Sequence, residues 1–132
     1  MKLYSLALLS SFSLLTPTAL ACLRVHGYIV HDPIVGTSMD GDAEAIDNGV
    51  VVCSARMGLR LDQDDHFSLG CLPGYVYAVT KDGKHAWYRN PQNAFDWDQT
   101  VNVDRYCCHG ACEDKGVKIS CTDYSWDMMR FC

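Results

Sequence analysis

Eight cysteines in 132 residues constrain this chain more than any other feature. They are Cys22, Cys53, Cys71, Cys107, Cys108, Cys112, Cys121 and Cys132. An even count in a short chain reads as four disulfides if the compartment is oxidising, although spacing alone leaves the connectivity open. Three cysteines lie before position 72 and five lie from 107 onward, so full pairing requires one or three bridges between the two groups. Cys107 and Cys108 are neighbours and should face different partners. Each bridge contributes about 2–4 kcal/mol against a typical total stability of about 5–15 kcal/mol. A thin core therefore suffices.

The N-terminal residues supply the oxidising compartment. Lys2 precedes an apolar run over Leu3–Leu15, and Ala19-Leu20-Ala21 forms a small-x-small cleavage site. Residues 1–21 therefore read as a secretory signal peptide and 22–132 as a single disulfide-rich secreted domain. The run is broken by Ser10, Ser11, Ser13 and Thr16 and falls short of the about 20 apolar residues of a membrane span. Cys107-Cys108-His109 with Cys112 could imitate a zinc knuckle, but secretion and the even count favour disulfides, and no metal or other cofactor is expected.

The formal net charge is −5, and losing Lys2 with the leader makes the remainder more acidic still. That balance argues against a nucleic-acid partner, which needs clustered Lys and Arg.

Along the chain, period-two alternation dominates, the mark of half-buried strands. Leu23, Val25, Gly27 and Ile29 alternate with Arg24, His26 and Tyr28, and His31-Asp32-Pro33 ends this strand. Asn48-Gly49 predicts a hairpin with Ile46 opposite Val51 and Glu44 opposite Cys53; a short helix over Asp40–Asp47 is the rival. Met57–Asp65 reads as an irregular link and His66–Cys71 as a strand. Tyr75–Lys81 and Lys84–Asn90 form a hairpin around Asp82-Gly83, pairing Tyr77 with Tyr88, Ala78 with Trp87 and Val79 with Ala86. Ala94–Val103 reads as one strand, Tyr106–Cys112 as a compact loop, Val117–Cys121 as a short strand and Tyr124–Phe131 as a tail. The whole predicts a mainly β fold, a small antiparallel sandwich or barrel with room for one short helix; α+β is the alternative.

Few residues carry a chemical signature. His66 follows Asp62, Asp64 and Asp65, but acid–base catalysis needs groups aimed at one substrate position, and a solvated acidic loop is the simpler reading. Asp40, Asp42 and Glu44 imitate a calcium loop that fails at Ala45 and Val51. His85, Arg89 and Glu44 are the residue types a small ribonuclease would use, with nothing in the sequence to place Glu44 beside the others. No hydrolase, zincin or P-loop motif is present, and no catalytic residue is assigned. The aromatic group Tyr75, Tyr77, Trp87, Tyr88, Phe95 and Trp97 must be partly core. Because Trp87 and Tyr88 point to opposite faces, one set is left for a surface patch suited to protein or sugar, and Tyr75, Tyr77, Trp87, Tyr88 and Trp97 are the candidates.

The signal peptide, the eight cysteines and three segments together resemble the small secreted cysteine-rich proteins of filamentous fungi. The segments are Asp47-Asn48-Gly49-Val50-Val51-Val52-Cys53-Ser54, Gly74-Tyr75-Val76-Tyr77-Ala78-Val79 and Ala86-Trp87-Tyr88-Arg89-Asn90-Pro91. The resemblance implies a non-enzymatic effector that acts in the host apoplast or host cell and binds a host protein or cell-surface component; a monomer is expected. No functional residue transfers with it, because that class has no common site. A toxin or antimicrobial protein is the alternative, weakened by the acidic charge.

Overall fold

The computed structural model describes residues 22–110 and 119–132. Among them every regular element is a strand: β1 (Leu23–Asp32), β2 (Gly36–Met39), β3 (Glu44–Asp47), β4 (Val50–Leu61), β5 (His66–Cys71), β6 (Val76–Thr80), β7 (His85–Arg89), β8 (Ala94–Asp98), β9 (Asn102–Cys107) and β10 (Ser120–Arg130). They form a single antiparallel sheet in the order β8-β7-β6-β5-β4-β3-β1-β10-β9, with β2 on β1. The sheet curls into a half-barrel around one apolar core. A two-sheet sandwich does not form, and no helix occurs among the described residues.

Alternation explains which face each strand buries. From β1, Leu23, Val25 and Ile29 point inward at 0–2 % exposure. Opposite them β10 turns in Trp126, β3 Ala45, β5 Phe67 and Leu69, β6 Tyr77 and Val79, and β7 Ala86 and Tyr88. Two side chains tie the curled sheet across its interior. Tyr88 on β7 donates its hydroxyl to Asp47 on β3 at 2.5 Å, and Trp126 on β10 donates its indole N–H to the Tyr77 hydroxyl on β6 at 3.2 Å. Gln99, just past β8, completes a buried polar network by accepting from Trp97 Nε1 at 2.9 Å and donating to the Gly83 carbonyl at 2.6 Å.

The two sharpest hairpin expectations meet the structure differently. In β6–β7 the pairs Tyr77–Tyr88, Ala78–Trp87 and Val79–Ala86 form as expected. In β3–β4 Ile46 faces Val51, but a bulge between Ala45 and Ile46 advances the register, so Glu44 faces Ser54 and Ala45 faces Cys53. The rival helix over Asp40–Asp47 is replaced by a turn and β3, since Ala43 and Ala45 are needed in the core at zero exposure.

Three further expectations are corrected. Met57–Leu61 is no irregular link: after a wide irregularity between Ser54 and Leu59, β4 resumes pairing with β5 through Leu61. Ala94–Val103 is two strands: the burial alternation runs on through Gln99 and Val101, but pairing with β7 ends at Asp98, and from Asn102 the chain pairs with β10 as β9. Tyr106 and Cys107 belong to β9 instead of a loop, and the expected short strand and tail merge into the eleven-residue β10, held along its length by β1.

Three disulfides join described residues: Cys22–Cys132, Cys53–Cys71 and Cys108–Cys121. The first links the early and late cysteine groups, the second crosses β4–β5, and the third closes the base of β9–β10. The expected fourth bridge involves Cys112, which lies outside the described residues, as do the leader and the start of the expected strand at Val117. No described helix is long and apolar enough to cross a membrane, and several disulfides in a small domain are consistent with an extracellular protein.

Candidate binding surfaces

The five aromatic candidates divide by strand parity. Tyr77 and Tyr88 are core, at 0 and 2 % exposure, and cannot contribute to a surface patch. Trp97 lies half-buried on the inner side of β8, edge-on to Phe131 with ring centroids 5.9 Å apart and under the Arg130 guanidinium at 5.7 Å. Only Trp87, on the outer face of β7, and Tyr75, in the loop before β6, are left on surfaces open to a ligand, and they lie in different places.

Trp87 is the centre of a ring cluster contributed by two strands, β5 and β7. His66 on β5 stacks against it at 4.4 Å, and His85 on its own strand meets it edge-on at 4.5 Å. Carboxylates surround the cluster. His85 Nδ1 lies 2.7 Å from Asp98 and its Nε2 3.2 Å from Asp96, while His66 Nδ1 lies 3.5 Å from Asp62. The β7–β8 register makes this arrangement, setting His85 opposite Asp98 and Trp87 opposite Asp96. A neutral imidazole donates from one nitrogen only, so His85 satisfies both aspartates as donor only when protonated. Asp62 accepts from the amides of His66 at 2.8 Å and Asp64 at 3.0 Å. The His66 amide above all holds its carboxyl below the usual carboxylate range.

Other candidate chemistry is not assembled. Glu44 pairs with His26 at 3.3 Å while His85 is committed to Asp96 and Asp98, so the types a ribonuclease would use are engaged with different partners. Asp40 and Asp42 do not form a calcium loop; Asp42 is bonded to Arg56, and Asp40 caps the amide of Asp42. Asp62, Asp64 and His66 approach one another as cation ligands would, yet the backbone amides already occupy Asp62. Asp32, Cys108, His109 and Cys121 also cluster, but Cys108 and Cys121 are bonded to each other and offer no thiolate.

The second surface is a cleft of ≈ 450 Å³ at one end of the half-barrel, lined by Asp47, Asn48, Val50, Leu72, Tyr75, Asn90, Gln92 and Asn93 among others. Three turns build it: Asn48-Gly49, Leu72–Gly74 and Asn90–Asn93. Each was legible alone. In an up-and-down antiparallel sheet alternate connections fall at the same end, so the β3–β4, β5–β6 and β7–β8 turns had to converge; that was the overlooked signal. His66 beside Trp87 was not legible, since it depends on the β5–β6 register.

No protein-family model matches the chain, and neither a curated protein nor a solved structure matches it.

Proposed function

We propose that this chain is a secreted, effector-like binding protein, non-enzymatic and monomeric, that engages a host component through the outer face around Trp87. The observation that carries the reading is the placement of a tryptophan on the solvent side of the sheet, framed by two histidines and bordered by Asp62, Asp96 and Asp98. A large ring with an acidic rim complements a basic protein surface, where Arg and Lys side chains meet both the π-face and the carboxylates. Disulfide stapling supports the same reading, because it lets a small fold survive outside the cell while its outer face remains polar.

The test is capture from host extract by the oxidised protein, compared with Trp87→Ala and with Asp96→Asn/Asp98→Asn. The wild type should retain a discrete basic protein. Trp87→Ala should weaken that binding about 30-fold, the loss of an interface anchor worth about 2 kcal/mol, without lowering the melting temperature enough to unfold it. The doubly neutralised variant should behave as the wild type does at about 1 M salt, where the screening length is about 3 Å. Retention unchanged by all three perturbations excludes this face as the contact.

A further inference from the structure

We propose that the cleft at the turn end of the half-barrel is a binding site for a neutral oligosaccharide, separate from the Trp87 face. Its chemistry differs from the rest of the molecule. On a chain of net charge −5, the lining holds one carboxylate and no Lys or Arg. That carboxylate, Asp47, already accepts the Tyr88 hydroxyl at 2.5 Å and the Asn48 amide at 3.0 Å. What faces the space is therefore uncharged amide and apolar surface. An anionic ligand would find no counter-charge there, and a cationic one only a carboxylate with two donors already on it.

The amides have capacity to spare. Asn90 spends its Oδ1 on the backbone amides of Gln92 and Asn93, at 3.0 and 2.8 Å, which leaves its Nδ2 outside that bond pattern. The side-chain amides of Gln92 and Asn93 make no hydrogen bond within the described residues. A carboxamide offers donor and acceptor side by side, and a sugar hydroxyl is likewise both. Beside them stand the Tyr75 ring and the exposed side chains of Val50 and Leu72, an apolar wall suited to the C–H face of a pyranose. The ≈ 450 Å³ volume lies within the roughly 300–1,000 Å³ of ligand clefts.

The walls are also held in place before any ligand arrives. The Asn90 side chain and the Asn90 N–H to Asn93 carbonyl bond at 3.0 Å fix one turn; the Tyr75 N–H to Leu72 carbonyl bond at 3.1 Å fixes the next. Gly74 passes so close to Pro91 that a Cβ would sit 3.1 Å from its ring, so these two turns touch. Asn48 is anchored to Cys22 by two bonds, Cys22 N–H to Asn48 Oδ1 at 3.1 Å and Asn48 N–H to the Cys22 carbonyl at 2.9 Å, and Cys22 is bridged to Cys132. Such pre-organisation lowers the ordering cost of binding.

The experiment is titration calorimetry of the oxidised protein with hexasaccharides of β-1,4-N-acetylglucosamine, β-1,3-glucose and β-1,4-glucose, with oligogalacturonate as the acidic comparison and a neutral glycan array alongside. At least one neutral glycan should bind and oligogalacturonate should not. Tyr75→Ala and the double change Gln92→Ala/Asn93→Ala should each weaken binding about tenfold; the double change should keep a melting temperature near wild type, while Tyr75→Ala, whose ring also packs on the core, should lower it without unfolding the protein. Trp87→Ala should leave sugar binding unchanged, which separates this site from the protein-contact face. The proposal is overturned by the absence of any neutral glycan ligand, by binding confined to the acidic oligomer, or by affinities within twofold of wild type in both cleft variants.

Discussion

Trp126 shows how a single residue ties distant parts of this sheet together. Its indole lies over Gly27, where a Cβ would come within 2.4 Å of the ring, and against Gly83, where one would come within 2.7 Å. Gly83 also has φ of +70°, which favours glycine on conformational grounds. Two glycines on distant segments thus open the space that lets β10 fold its largest side chain under β6. Gly27→Ala should cost about 1–3 kcal/mol by overpacking, read as a lowered denaturation midpoint at unchanged m-value. Gln99→Ala should cost a similar about 1–3 kcal/mol for a different reason, because it strands the Trp97 N–H and the Gly83 carbonyl in a buried site; thermal unfolding of the purified variant measures it. Alternation placed Gly27 on the inner face, but nothing in the local sequence reports that a tryptophan about a hundred positions later would cover it.

At the scale of elements, legibility followed how locally each strand is specified. The β6–β7 hairpin was readable to the register because its turn residues and cross-strand aromatic pairs sit within a few positions of each other. The β4 and β10 strands were not: the length of β10 comes from β1, at the other end of the chain, and the far half of β4 pairs locally with β5 but only after an irregularity between Ser54 and Leu59 that interrupts the pattern. There Gly70 is so tightly opposed that a Cβ would come within 2.5 Å of the Met57 backbone. The candidate surfaces divide the same way, with Trp87 placed outward by parity alone and the cleft emerging only once three turns share an end. Neighbouring strands should also differ in stability. β9 is exposed along its whole length and borders only β10, whereas β1 lies between β10 on one side and β2 and β3 on the other. Native-state hydrogen exchange should find β9 amides opening locally and the central β1 amides opening only with global unfolding. Equal protection in the two strands would contradict this ranking.

For the molecule as a whole, proton linkage sets the working range. Asp32, Asp62 and Asp127 sit below the usual carboxylate range, Asp32 chiefly through the Ile34 amide, Asp62 through the His66 amide and Asp127 through Arg24. A depressed folded value means stability that is present above the unfolded value of about 4 and is lost as pH falls through the folded one. At the other end the Asp123 carboxylate, accepting the Tyr28 hydroxyl, pushes that phenol up to about 12. Its contribution is complete below the ordinary value near 10 and is lost as pH rises toward 12. Melting temperature against pH should therefore form a plateau from about 5 to about 9.5 with a fall on each side, and Tyr28→Phe should make the alkaline fall shallower without abolishing it, because Tyr77, Tyr88 and Tyr106 are also pushed up.

The Cys22–Cys132 bridge spans 110 positions, so the backbone between them is topologically a closed loop. A protease that severs one exposed connection, such as the Pro33–Val35 tip or the 62–65 segment, would linearise that loop without detaching any fragment. On a non-reducing gel the nicked product should migrate as a single species of essentially full mass, and it should separate into two pieces only after thiol is added. Under proteolysis, one cut is then survivable damage.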